Sequence, residues 1–355
     1  MINENKLKKV LEKLVENSSN VFIVGHNEPD FDAIGSAIGL QVLCTYLNRK
    51  SYIVVDDTVL EAGVKRIVEN NYSKYSIINR SEALEKINKN SLLIMTDVNP
   101  YYLVSLQNEL PLFKNILIID HHKETKDTVK TDYKFIDIDK SSASEVVANL
   151  LSTYKHLDIN CKTANYLLSG IVLDTRRFRK NTSVDTMNAA KYLIKKGAQN
   201  EFVEDLFLSE FEDDKKINNL VFRNTIFRQF TSSNLENKNI AFVLNREEPK
   251  FIYKREELAK AADKLLKYKV DASFAIGYLQ DEVISISARS KSDIDVADIL
   301  LNIEEAKGGG NPTSAGAKAT GITPLEFESI LVDKTTEYLQ ETHDKPYVLK
   351  KNKKY

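Results

Sequence analysis

Short apolar runs alternate with segments of helical spacing along the chain. Near the start, Leu7, Val10, Leu11, Leu14 and Val15 fall at i, i+3, i+4, i+7 and i+8, the apolar stripe of an amphipathic helix. VFIV, YIVV, YSII, SLLIM and NILIID read as strands, with AIGSAIGLQVLCTYLNR, EAGVKRIVENN and SEALEKIN as helices between them. Those strands are apolar throughout rather than at alternate positions, so both of their faces must be covered. Strand–helix alternation then predicts an α/β fold built on a mostly parallel, doubly wound sheet. In SSASEVVANLLSTY, Ser142 stands as an N-cap with Glu145 three residues on. CKTANYLLSGIVLDT reads as a helix leading to Asp174, and NTSVDTMNAAKYLIKKGA as one capped at Thr182 or Ser183 and stopped at Gly197.

Residues 200–229 have helical spacing, first acidic and then basic, with no strand signal, and read as a connector. A second alternating unit follows: IAFVLN, the helix REELAKAADKLLKY, and ASFAIGYL with VISISARS as a hairpin around Gln280 and Asp281. A further helix, a GGGNPTSAGAKAT loop and the helix PLEFESILVDKTTEYLQ complete it. The expected organisation is a first domain over 1–199, a helical connector over 200–235, a smaller mixed-sheet α/β domain over 236–340 and a polar tail over 341–355. A length of 355 residues suits two such domains.

Composition removes several function classes. A net charge of −1 leaves no global basic field, so duplex nucleic acid is not an expected partner and any anion must be attracted locally. Two cysteines, Cys44 and Cys161, cannot make a disulfide framework and suit a reducing compartment. The opening residues lack the apolar core of a signal peptide, and no run is long enough to span a membrane. The sequence therefore reads as cytoplasmic, with no membrane segment.

Function in open α/β sheets gathers where strands run into loops. GHNEPDFD follows VFIV, TDVN follows LLIM, DHHKE follows ILII, and Asp174 ends GIVLDTRRF. Each has a bland explanation: Asp30 or Asp32 as a helix cap, Asp97 with Asn99-Pro100 as a turn initiator, the vicinal histidines as coincidence. Together they bring three of the five histidines and at least five aspartates to one sheet edge, a concentration stable only around cations. Mixed carboxylate and imidazole donors favour Mn²⁺ over Mg²⁺. Six or seven ligands suit two ions about 3.5–4 Å apart, clamping the attacking and leaving oxygens of a displacement at phosphorus.

In that order, HNEPDFDA, DVN, DHH and Asp174 resemble the motifs of the DHH phosphoesterases, and GGGNPTSAGA is similar to the glycine-rich signature of their DHHA1 partner domain. The resemblance spans roughly residues 18–335, and the ordered set is specific where any one motif is weak. It implies a two-domain hydrolase holding two divalent ions between its domains. His26, Asp30 and Asp97 would bind one ion, and Asp32, Asp97, His121 and Asp174 the other, with Asp97 bridging. A hydroxide bridging the ions would be the nucleophile. His122 would contact the scissile phosphate or protonate the leaving oxygen, and Asp120 would orient a histidine ring. Glu28 has no role in this scheme and reads as solvent-exposed. Arg289 on its strand, with Gly308, Gly309, Gly310 and Asn311, would contact the substrate. Relatives are commonly dimers, which implies a homodimer.

Within the family, GIVLDTRRFRKNTSVDTMNAAKYLIKKGA and VISISARS look most like the phosphodiesterases that open cyclic di-AMP to linear pApA, in some cases continuing to AMP. Those proteins often carry membrane and sensory segments ahead of this module. Met1 favours a stand-alone enzyme over an excised catalytic portion. Two positions depart from the pattern. Asn311 stands where the glycine run usually ends in histidine, exchanging a charge-assisted bond of roughly 1.5–3 kcal/mol for a neutral one of about 1 kcal/mol. Asn99 stands where the cyclic di-AMP branch tends to have histidine and is more like the short-oligonucleotide nucleases. Two further readings therefore stay open: a nuclease of very short RNA or phosphatase of 3′-phosphoadenosine phosphate, and a non-enzymatic cyclic-dinucleotide receptor. A family II pyrophosphatase is disfavoured by the lack of a downstream Ser-Arg-Lys cluster, and a long single-strand exonuclease by the short, near-neutral chain. The basic cluster Arg176, Arg177, Arg179 and Lys180 is either a solvated loop or a local attractor for anions.

Overall fold

VFIV forms strand β1 (Val21–Val24), and its side chains divide between two cores: Val21 and Ile23 pack into one, Phe22 and Val24 into the other. That is the two-sided burial its uninterrupted apolar pattern requires. The structure, a computed structural model, describes residues 3–56, 60–208, 211–232, 236–245, 252–291 and 294–341. It divides into two compact units, the first ending at Leu208.

In chain order the first unit contains α1 (Glu4–Glu16), β1, α2 (Phe31–Tyr46), β2 (Ser51–Val54), α3 (Ala62–Asn71), β3 (Ile77–Ile78), α4 (Arg80–Leu84), β4 (Leu92–Thr96), β5 (Asn115–Asp120), β6 (Tyr133–Ile136), α5 (Ala143–Ser152), α6 (Cys161–Asp174), α7 (Val184–Lys195) and α8 (Asn200–Leu206). The sheet is parallel throughout, in the order β3-β2-β1-β4-β5-β6. Strand order reverses between β1 and β4, so the loops after them diverge and open a crevice at the carboxyl edge. The larger core joins one sheet face to α1, α2, α5, α6 and α7. Ser142 caps α5 by accepting from the amide of Glu145, whereas the Glu145 carboxylate turns back to Ser141 and Thr186. Ser183 caps α7, and Gly197 ends it at φ +91°. Strand β6 has no counterpart among the sequence-predicted strands: YKFI buries only Phe135 fully, as suits a short edge strand.

The second unit contains α9 (Phe211–Asn224), β7 (Thr225–Thr231), β8 (Asn237–Leu244), α10 (Arg255–Leu265), β9 (Ala272–Tyr278), β10 (Ile284–Ser290), α11 (Val296–Leu301), β11 (Ala306–Asn311), β12 (Ser314–Ala319) and α12 (Pro324–Glu341). Its sheet runs β11-β12-β10-β9-β8-β7, mixed, with β8–β9 the parallel pair. The hairpin between β9 and β10 turns through Gln280–Glu282, as predicted. Two expectations are corrected. The purely helical connector of 200–235 is interrupted by β7, an edge strand with most positions exposed or half-exposed and hence without an alternating signature. The GGGNPTSAGAKAT loop is the β11–β12 hairpin. Glycine is required there: a Cβ on Gly308 would lie 2.1 Å from the Gly316 carbonyl oxygen, and Gly310 adopts φ +146°. Of the expected polar tail, residues 342–355 lie outside the described residues. Among the described residues no helix is long and apolar enough to cross a membrane.

Candidate metal centre

The loops after β1, β4 and β5 and the C-terminal end of α6 bring the acidic and histidine residues to the crevice. Asp30 is both the helix cap and a site residue. Its Oδ1 accepts from the amides of Asp32 (2.8 Å) and Ala33 (3.1 Å), and its Oδ2 lies 3.8 Å from His26 Nε2. Asp32, one residue into α2, is fully buried at the N-terminus of α5, where Ala143 N donates to Oδ2 (2.7 Å) and Ser144 N to Oδ1 (2.8 Å). Those amides fix the rotamer of Asp32 while leaving each oxygen further lone pairs. Asp97 follows β4 at φ +58°, a left-handed conformation that aspartate tolerates better than most residues other than glycine.

Asp97 is where two ligand groups meet. Its Oδ2 is 3.6 Å from His26 Nε2, and its Oδ1 is 3.3 Å from His121 Nε2. His121 Nε2 lies in turn 3.1 Å from Asp174 Oδ2 and 3.8 Å from Asp32 Oδ2. Two sets of donor atoms, from His26, Asp30 and Asp97 and from Asp32, His121 and Asp174, each fall within 4.8 Å of one another. A third set, from Asp97, Asp120, His121 and His122, meets the same limit, and Asp97 belongs to the first and third sets but not to the second. Asp97 Oδ1 and His121 Nε2 are buried yet have no aligned hydrogen-bond partner among the described residues. A buried carboxylate oxygen and a buried imidazole nitrogen, each able to present a lone pair inside a set of like donors, fit a divalent cation. Asp174 stands at the C-terminal end of α6, where the helix dipole adds negative potential and favours a cation further.

His122 is oriented from behind. Its Nδ1 lies 2.9 Å from Asp120 Oδ1, which also accepts from the amides of His121 and His122. Asp120 Oδ2 accepts from Asn99 Nδ2 at 2.7 Å, and Asn99 Oδ1 accepts from Thr128 Oγ1 at 2.6 Å. Thr128 Oγ1 itself accepts from the amide of Thr125, so its proton is committed to Asn99 and the direction of the chain is set. Asn99 and Thr128 were absent from the sequence-predicted site. Asn99 was singled out only as a departure from the family pattern, and Thr128 carried no signal.

Burial dominates the electrostatics. It pushes Asp32 up to about 7, with the charges of Asp174 and Asp30 adding to the effect. Asp97 is raised well above the carboxylate range by burial and by Asp32. His121 is raised well above the imidazole range because Asp174 and Asp97 outweigh its burial. Burial works against Asp30 and Asp120 too, but His26 and the α2 amides hold Asp30 low, and His122, His121 and Asn99 hold Asp120 low. Without ions, the cluster must keep protons to limit its own repulsion.

The remaining predicted residues fall elsewhere. Glu28 is exposed, as its lack of a role implied. Arg177 is occupied by a bidentate pair with Glu204 (Nη2–Oε2 2.9 Å). Arg289 is on β10 with Nε 3.2 Å from Asp263, and Gly308, Gly309, Gly310 and Asn311 are all on β11.

Residues 20–171 match the DHH family N-terminal domain and residues 237–341 the DHHA1 domain. The chain is 32% identical over 339 residues to the cyclic-di-AMP phosphodiesterase GdpP of Bacillus subtilis, covering 93% of this chain and 49% of that protein. It is 29% identical over 340 residues to the cyclic-di-AMP phosphodiesterase PdeA of Listeria monocytogenes, covering 94% and 50%. The chain thus spans about half the length of these curated relatives. Among solved structures, an exopolyphosphatase-related protein from Bacteroides fragilis superposes with a TM-score of 0.78 at 20% identity, over 95% of this chain and 98% of that one. The exonuclease RecJ bound to manganese superposes at 0.50 and 11%, over 96% and 95%. Ordered motifs, a site assembled at the switch point and matches over both units place this chain in the DHH family, with a DHHA1 domain as its second unit.

Proposed function

We propose that the protein is a Mn²⁺-dependent phosphodiesterase that opens cyclic di-AMP to linear pApA. The observation that carries this reading is a pair of three-residue donor groups, one containing Asp97 and the other reaching Asp97 through His121, with Asp97 Oδ1 and His121 Nε2 buried without an aligned hydrogen-bond partner among the described residues. The names and extent of the two relatives above favour cyclic di-AMP as substrate.

His26, Asp30 and Asp97 would hold one ion and Asp32, Asp97, His121 and Asp174 the other. Bound there, such ions supply an activated water and neutralise charge on the phosphoryl oxygens. The side chains of this chain do the rest. The α5 amides keep Asp32 in one rotamer, and the backbone of Asp97 holds its carboxylate where both histidines reach it. With His122 donating its Nδ1–H to Asp120 Oδ1 and keeping that proton, Nε2 would be the nitrogen that meets the phosphate or the departing oxygen. Arg289 and Asn311 are the substrate contacts proposed for the second unit.

Incubating the full chain with Mn²⁺ and cyclic di-AMP, pApA, 3′-phosphoadenosine phosphate or a short RNA, then separating products, tests this. Formation of pApA from the cyclic dinucleotide supports it. Turnover of only the linear substrates makes the protein a nuclease or phosphatase of small nucleotides, and binding without turnover makes it a receptor. Asp97→Ala removes the shared ligand and abolishes hydrolysis; unchanged hydrolysis in that variant would mean that the ligand assignment is wrong.

A further inference from the structure

Two buried carboxylates hold the first turn of α5. Asp32, as described above, takes the amides of Ala143 and Ser144, which have no partner inside the helix. Glu145 takes the residue before the cap: its Oε2 accepts from Ser141 N (3.0 Å), Ser141 Oγ (2.6 Å) and Thr186 Oγ1 (2.7 Å). The amide of Glu145 itself donates to Ser142 Oγ at 3.0 Å. Every residue from Ser141 to Glu145 is buried, so solvent cannot stand in for any of these partners.

Capping alone does not call for this arrangement. A capping box needs a glutamate that returns to the N-cap amide, and an exposed one serves. The Glu145 carboxylate is instead fully buried, reaches one residue further back, and crosses to α7 through Thr186. A buried carboxylate is costly unless it is paired, and here a counter-charge is provided. Lys140, its side chain only 6% exposed, places Nζ 3.6 Å from Glu145 Oε1, 2.7 Å from Asp185 Oδ2 and 3.5 Å from Glu4 Oε1. A neutral amide could not replace the carboxylate. Turned one way, its NH2 would face the Ser141 amide; turned the other, it would face the Lys140 ammonium.

We propose that Glu145 is a positioning residue for the metal centre. It fixes the turn through Ser141, the turn fixes the amides of Ala143 and Ser144, and those amides fix Asp32, whose Oδ2 lies 3.8 Å from His121 Nε2. Its carboxylate acts through the backbone of α5 and not as a ligand. This role rests on the reading above, in which the donor groups hold divalent ions. Asp32 belongs to the group with His121 and Asp174 and not to that with His26 and Asp30. Glu145 therefore serves one ion and not the other, a selectivity that mere support of the fold would lack.

The test is a calorimetric titration of the full chain with Mn²⁺ on two backgrounds that isolate the groups. His26→Ala disables the first group and leaves the one containing Asp32; Asp174→Ala does the reverse. Adding Glu145→Gln should weaken the remaining ion roughly tenfold in His26→Ala, the lower end of what losing an orienting partner costs a metal site. It should leave the remaining ion in Asp174→Ala unchanged. Thr186→Val, which removes one donor to Glu145, should act in the same sense by a smaller factor. Thr186→Ser, which keeps the hydroxyl, should restore the parent affinity, and this pair carries the test if Glu145→Gln does not fold. Leu150→Ala, in the last turn of α5, should lower the melting temperature and leave both affinities alone. Affinities that fall alike on both backgrounds, or on neither, overturn the proposal. Turnover is read separately: selective weakening in a protein that fails to open cyclic di-AMP sinks only the phosphodiesterase reading.

Discussion

Both units are built on six strands, but they deploy polar chemistry in opposite ways. The parallel sheet of the first brings Asp32, Asp97 and Asp120, all buried, to the one point where strand order reverses. The mixed sheet of the second spreads Arg289, Asn311, Lys307 and Lys318 along a face, with the two lysines and the asparagine exposed. Buried charges persist only if each is held by a partner or an ion, so a centre of that kind is rigid and intolerant. Exposed charges are screened and contribute little each, so a face of that kind binds softly and can be retuned by single substitutions.

The comparison is broken most severely by cutting the chain behind His122. Asn99→Ala leaves the buried Asp120 Oδ2 without its donor, and Asn99→Asp sets a second carboxylate against it. Either should lower kcat by about 10–100-fold, the usual cost of losing a group that orients a site residue. KM should stay near its parent value. Thr128→Val, which touches no proposed ligand, should lower kcat in the same sense, and Thr128→Ser, which keeps the hydroxyl, should restore it. Full activity in Thr128→Val would show that His122 needs no support from that side.

Ion binding should depend on pH. Asp32 is raised to about 7 from the ordinary carboxyl value, so the stability it contributes is complete in acid and is lost as pH rises toward 7. His121 acts in the same direction, being raised above an unfolded value of 6.5 and losing its contribution as pH climbs past that. Asp30 and Asp120 are held low and titrate only in stronger acid, outside this window. The ion-free protein should therefore melt at lower temperature at pH 8 than at pH 6. At one Mn²⁺ concentration, set to a hundred times its Kd at pH 8, the ion should restore about 2.7 kcal/mol at pH 8 and less at pH 6, where more protons compete and the rise in melting temperature is smaller. Equal rises at both pH values would remove Asp32 and His121 from the ligand set.

What the sequence revealed follows the same division. The first sheet was legible because parallel strands buried on both faces are apolar at every position, and the clustered acids and histidines because all but Asp174, at the end of α6, lie at or just past the end of such a strand. Strand β6 and edge strand β7 were not, since strands left half in solvent carry no apolar run. The β11–β12 hairpin was read as a loop because glycine and alanine suggest flexibility, whereas here they let two backbones approach. Asn99 was noticed only as a departure from a pattern. Its bond to Asp120 joins loops that follow different strands, a relation that spacing along the chain does not encode. The α5 amides that hold Asp32 were out of reach for the same reason: the two segments are separated by more than a hundred residues.

Packing around Asp32 offers a milder perturbation. A Cβ on Gly170 of α6 would lie 2.3 Å from Ser144 Oγ and 2.7 Å from Asp32 Oδ1. Gly170→Ala gains up to about 1 kcal/mol of helix propensity, but overpacking of this kind typically costs about 1–3 kcal/mol. A lowered melting temperature together with weaker Mn²⁺ binding is the expected result. Weaker stability with unchanged Mn²⁺ affinity would mean that Ser144 yields and Asp32 does not, so the centre would be less rigid than the comparison with the second unit requires.

The smallest effect is expected at the charged residues of the first unit that resemble the second. Arg177 and Glu204 form a bidentate pair with both side chains half-exposed, and the guanidinium also lies over the Phe207 ring. Such pairs are worth about 0.2–1 kcal/mol, less in high salt. Arg177→Ala should therefore lower the melting temperature slightly, with the difference shrinking as salt is added, and should leave KM for the dinucleotide where it was. A large rise in KM would be more informative than its size suggests. It would make the basic cluster after Asp174 a substrate contact that exchanges Glu204 for phosphate. Soft, exposed recognition would then belong to both units, and only the buried carboxylates would still set the first apart.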